Sequence, residues 1–121
     1  MNQETPKPTK VSVLQRREAL LRELPELIGS QWADAVCAEE LQNRGSIQGG
    51  WPGTLPEARS RVSQTLGQRL SVQRWQPLTT EELAAAAATA YDRARRGWLE
   101  AGKQLGPQAL RRAARASKPA L

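Results

Sequence analysis

The sequence predicts an all-α protein: a small bundle of four or five helices with a disordered N-terminal tail and a basic C-terminal helix. Three observations predict it. Thr54-Leu-Pro-Glu57 and Thr79-Thr-Glu-Glu82 are capping boxes, in which a Thr hydroxyl and a Glu carboxylate three residues on satisfy backbone N–H groups that a helix start leaves free. Apolar residues recur at steps of three and four along three segments. No run alternates with period two for long enough to make a strand, since Val11-Ser-Val13 and Leu70-Ser-Val72 are too short. With 121 residues the chain holds one domain with tails.

The elements follow in order. Residues 1–11 read as a disordered tail, because Pro6 and Pro8 break any helix. Ser12 is the expected N-cap of the first helix, with Val13, Leu14, Leu20, Leu21, Leu24, Leu27 and Ile28 near helical spacing. Pro25 interrupts this pattern, as a kink or as the first turn of a second helix, and Gly29-Ser30 permits another break. Trp32, Ala33, Val36, Cys37 and Leu41 form the next stripe, and Gly45 is placed to end that helix in a left-handed conformation.

Residues 45–53 form a loop with four glycines and a proline. After Thr54, the residues Leu55, Ala58, Val62, Leu66 and Leu70 make a clean stripe, with Arg59, Arg61 and Arg69 off it. A loop over 71–78 carries Trp75 and Pro77. The helix opened by Thr79 is expected to be the longest, with Leu83, Ala87, Tyr91, Ala94 and Trp98 on one face, ending at Gly102 or Gly106. Pro107 then opens a short basic helix to about Ala116, and 117–121 fray. The organisation is thus a tail (1–11), a helical domain (12–106), and a basic helix with a frayed end (107–121).

Composition narrows the function. There is no His, which removes the commonest general base and metal ligand. A single cysteine, Cys37, supports neither an internal disulfide nor a multi-thiolate metal site, and reads as a small buried hydrophobe. Glu39/Glu40 and Glu81/Glu82 are adjacent pairs that point to different helix faces, so neither is a convergent acid–base pair. No catalytic constellation, cofactor motif or metal site is expected. No stretch approaches a membrane span, and Met1 to Lys10 lacks the apolar core of a secretory signal, so a cytoplasmic protein is expected. The Arg-, Ala- and Leu-rich usage without Phe resembles a high-GC bacterial coding bias.

Charge points to a partner. Residues 93–121 hold eight cations and only Glu100 as an anion, for +7, whereas the preceding 92 residues carry ten Lys/Arg against eleven Asp/Glu. A localised positive field calls for a polyanion. Six of the eight cations are arginines, whose guanidinium fits phosphate oxygens bidentately. The expected partner is nucleic acid, DNA or RNA, held mainly through its backbone. The expected contacts are Arg93, Arg95, Arg96, Arg111, Arg112 and Arg115, with Arg59, Arg69 and Arg74 second. The competing use of such cations is to complement a helix C-terminus.

Other features bear on this reading. Gly49-Gly50-Trp51-Pro52-Gly53 precedes a helix start but lacks a Gly-Lys-Ser/Thr ending and a preceding strand, so it is not a phosphate-binding loop. Trp51 is instead expected to anchor the loop onto the core. A helix-turn-helix beginning at Thr79 conflicts with the unbroken stripe from Leu83 to Trp98. Of the four tryptophans, Trp32 and Trp98 are expected in the core, while Trp51 and Trp75, in loops, are candidates for base stacking. The alternative function is a protein-interaction module, adaptor or inhibitor, presenting Trp51 and Trp75.

Overall fold

The computed structural model describes residues 10–117, and side chains within 12–103. Among these residues it is entirely helical, with three helices: α1 (Lys10–Arg44), α2 (Leu55–Val72) and α3 (Thr80–Ser117). The expectation of four or five helices is not met, because the proposed breakers do not break. Pro25 lies inside α1 and removes one hydrogen bond to the preceding turn. It is itself fully buried beside Leu24 and Ile28, so the turns on both sides stay packed. Gly29 also continues the helix. α1 begins at Lys10, which places Ser12 inside the first turn rather than at the cap. The backbone of α3 likewise passes Gly102, Gly106 and Pro107 without interruption, so there is no separate short C-terminal helix. The disordered tail expected over 1–11 is overturned at Lys10 and Val11, which open α1, and the fraying expected over 117–121 at Ser117, which closes α3; residues 1–9 and 118–121 lie outside the described residues.

The other signals are realised. Gly45 has φ of 76°, and its N–H donates to the Leu41 carbonyl at 2.8 Å, an αL stop to α1. Both capping boxes are closed. Thr54 exchanges bonds with Glu57 at 3.2 and 2.9 Å, and Thr79 with Glu82 at 3.0 Å each way.

α1 and α3 run parallel, since Arg17 meets Glu82 and Glu26 meets Arg93 in the same order along both helices. α2 returns antiparallel between them, with Leu24 and Ile28 packed in one cluster with Val62, Leu66 and Leu70. The α1–α3 contact is made by small residues. A Cβ on Gly29 would collide with the Ala90 carbonyl oxygen and come within 2.8 Å of the Arg93 Cβ. One on Gly97 would stand 3.1 Å from the Ala33 Cβ. Ala33, Ala90 and Ala94 are buried between the helices. With no Phe in the chain, the core gains density by bringing backbones together rather than by filling space with large side chains.

α2 is about half as long as α1, with 18 residues against 35, and covers only part of the groove between its neighbours. The loop over 45–54 covers the rest. Ile47 is buried with Cys37 and Trp98. Trp51 inserts between Trp32 and Trp98, with ring centroids 4.9 and 5.9 Å away in edge-to-face geometry. The Trp98 indole N–H donates to the Gly49 carbonyl at 2.9 Å, so the glycine loop is tied to α3. Trp51 anchors the loop as expected from sequence.

Candidate nucleic-acid interface

The basic stretch begins on the exposed side of α3. Arg95 is exposed and forms no ion pair among the described residues. Arg96 is exposed and bonds Asp92 one turn back, Nε to Oδ2, at 3.0 Å. Arg93 is half-buried against α1 and stands 3.8 Å from Glu26. Two of the three arginines are therefore matched by a carboxylate. Exposed pairs of this kind contribute roughly 0.2–1 kcal/mol, too little to hold a guanidinium against a competing phosphate. The side chains of Arg111, Arg112 and Arg115 lie outside those described.

The second group of arginines lies on and after α2. Arg59, Arg61, Arg69 and Arg74 are all exposed. Arg61 covers the face of Trp32, its guanidinium carbon 4.9 Å from the ring centroid. Arg69 lines a surface groove of about 220 Å³ between α1 and the end of α2, together with Arg16, Leu20, Glu23, Gln73 and Trp75. Trp75 is half-buried, packed on the cluster that contains Leu24 and Leu70. Arg69 and Trp75, both singled out in the sequence, are thus brought together, and Arg16 from α1 joins them.

The end of α2 explains how Trp75 is placed. The Trp75 N–H donates to the Leu70 carbonyl at 2.9 Å and the Arg74 N–H to the Ser71 carbonyl at 3.0 Å, the paired bonds of a Schellman motif. Its left-handed position is usually glycine. Here it is Arg74, with φ of 59°, the one non-glycine residue with positive φ among those described.

One ionic site was not anticipated. Arg17 is buried, 8% exposed, and makes four bonds. Its Nη1 and Nη2 hold the Glu82 carboxylate at 2.9 and 2.7 Å, while Nε and Nη2 donate to the Gln76 and Pro77 carbonyls at 3.0 and 2.9 Å. The Arg17 bonds to its carboxylate, with the bond from the Thr79 N–H, hold Glu82 down to about 2, and Glu82 in turn raises Arg17. A signal existed in the sequence: Arg17 falls in phase with Leu20, Leu24 and Ile28 on the buried face of α1. The role is structural, since these four bonds all go to partners within the protein.

Cys37 is buried. Burial, with Asp34 nearby, pushes its thiol up and away from the reactive thiolate. No helix among the described residues is long and apolar enough to cross a membrane. No family model matches the chain, and no curated protein or solved structure matches it.

Proposed function

We propose that this protein binds nucleic acid, mainly through electrostatic contact with the phosphate backbone, as an accessory or regulatory factor. The observation that carries the reading is the net +7 of residues 93–121 beside a nearly neutral remainder. Arg95 is exposed for such a contact, and the pairs at Arg93 and Arg96 are weak enough to be exchanged for phosphate. The adaptor alternative would need Trp51 and Trp75 on one surface. Trp51 packs beside Trp32 and Trp75 beside Leu20, which are twelve residues apart on α1, roughly 18 Å along its axis.

The test is affinity for duplex DNA, single strands and RNA across a salt series. Log affinity for a duplex should fall linearly with log salt, by about 0.9 per phosphate neutralised. Replacing Arg111, Arg112 and Arg115 with Gln should flatten that slope by up to about 3 and weaken all sequences alike. Replacing Arg93, Arg95 and Arg96 should act in the same direction. A wild-type protein that binds no nucleic acid at low salt ends this reading.

A further inference from the structure

We infer that the groove around Trp75 is a binding site for single-stranded nucleic acid, in which one base stacks on the indole and Arg16, Arg69 and Arg74 take the flanking phosphates. The inference rests on the nucleic-acid reading above and adds to it a second, aromatic site.

Four observations converge there. The groove has an apolar floor built from Leu20 and the Trp75 ring, open to solvent and flanked by exposed guanidiniums from two different helices, Arg16 of α1 and Arg69 of α2. At about 220 Å³ it lies below the usual range of small-molecule pockets, roughly 300–1,000 Å³, and suits a single planar ring rather than a whole ligand. Glu23 is the one anion of the lining, so the polar rim is net positive, complementary to a phosphodiester. It also supplies an acceptor for a base amino group.

The fourth observation is the backbone at Arg74. A left-handed conformation is unfavourable for a residue with a Cβ and costs glycine almost nothing. The Schellman geometry would be served better by glycine. The chain instead carries a third arginine there, exposed and flanked in sequence by two residues of the groove, Gln73 and Trp75. An exposed cation held at a conformational cost next in sequence to Gln73 and Trp75 of the groove points to a ligand site as well as a helix stop. Stacking on an aromatic ring with guanidiniums tracking the backbone is how proteins hold single strands without reading sequence.

The experiment measures fluorescence anisotropy of labelled oligo(dT), oligo(U) and a duplex of equal length at low salt. The proteins are the full-length wild type and the Trp75→Leu, Arg16→Gln, Arg69→Gln and Arg74→Gly variants. Loss of one base–aromatic stack should weaken single-strand binding by about 5- to 150-fold in Trp75→Leu. Each arginine variant should weaken it several-fold and weaken duplex binding less, because residues 93–121 carry most of the duplex contact and Arg69 and Arg74 stand second there. Arg74→Gly should do this while raising the Tm, which separates a ligand role from a structural one. Because Trp75→Leu removes packing, Arg69→Gln and Arg74→Gly decide the matter if that variant does not fold. If the wild type binds single strands and the folded variants bind them equally well, the inference is overturned while the nucleic-acid reading stands. If the wild type binds neither single strands nor duplex, both fall. Oligo(dT) against oligo(U) tells whether the strand held is DNA or RNA.

Discussion

Replacing Arg17 with Met should cost this protein about 2–3 kcal/mol, and the cost should depend on pH. Arg17 is 8% exposed and holds the Glu82 carboxylate in two bonds at 2.7 and 2.9 Å, with two more to the Gln76 and Pro77 carbonyls. Removing one partner of a fully buried ion pair costs roughly 3–5 kcal/mol. Glu82 keeps its Thr79 bond and is 32% exposed, so water recovers part of the loss. The carboxyl titration gives a second measure. Glu82 is lowered from 4.5 to about 2. At about 1.4 kcal/mol per unit this sets a ceiling near 3 kcal/mol, and partial exposure brings it to about 2.

The sign follows from linkage. A carboxylate depressed in the folded state stabilises fully above its unfolded value, and the contribution is lost as pH falls through about 4.5 toward 2. Urea titrations should therefore show Arg17→Met less stable at pH 7 with an unchanged slope. The gap to wild type should narrow as pH is lowered toward 3, and Glu82→Gln should remove most of it. Arg17→Lys should fall in between, because one ammonium cannot meet a carboxylate bidentately and reach two carbonyls as well. An Arg17→Met variant within about 0.5 kcal/mol of wild type at pH 7 would falsify the clamp.

Two other outcomes test the packing. Gly29→Val should destabilise by at least about 1–3 kcal/mol, since even a Cβ there collides with the Ala90 carbonyl oxygen, and Gly67→Ala, which meets nothing within 4 Å, should not; thermal melts of the two variants compare them directly. Trp98→Ala should cost roughly 3–5 kcal/mol, from a ring 2% exposed that also ties Gly49 to α3, and a variant that keeps its denaturation midpoint would contradict that burial.

Local chemistry in the sequence was enough for the all-helical class, for two helix starts and for one helix stop. Thr54, Thr79 and Gly45 act through bonds within four residues, so no distant contact is needed to read them. The stripe Leu55, Ala58, Val62, Leu66 and Leu70 was equally plain and is buried from Ala58 onward, while Leu55 in the first turn is exposed. The concentration of charge in residues 93–121 is likewise a property of the sequence alone.

The number of helices was decided by tertiary structure. Pro25 and Gly29 both have the local signature of a break. Each is kept helical by what lies across from it: Pro25 is buried among packed turns, and Gly29 is where α3 approaches too closely for any side chain. A helix breaker removes one hydrogen bond or some backbone order, and packing over many turns outweighs it. The same holds for the sites. Arg17 and Glu82 are 65 residues apart, and Arg16 reaches the groove of Arg69 and Trp75 only because α2 runs back along α1. Residue type and local spacing carry no record of such pairings, because the partner is chosen by how the helices stack and not by the chain that connects them.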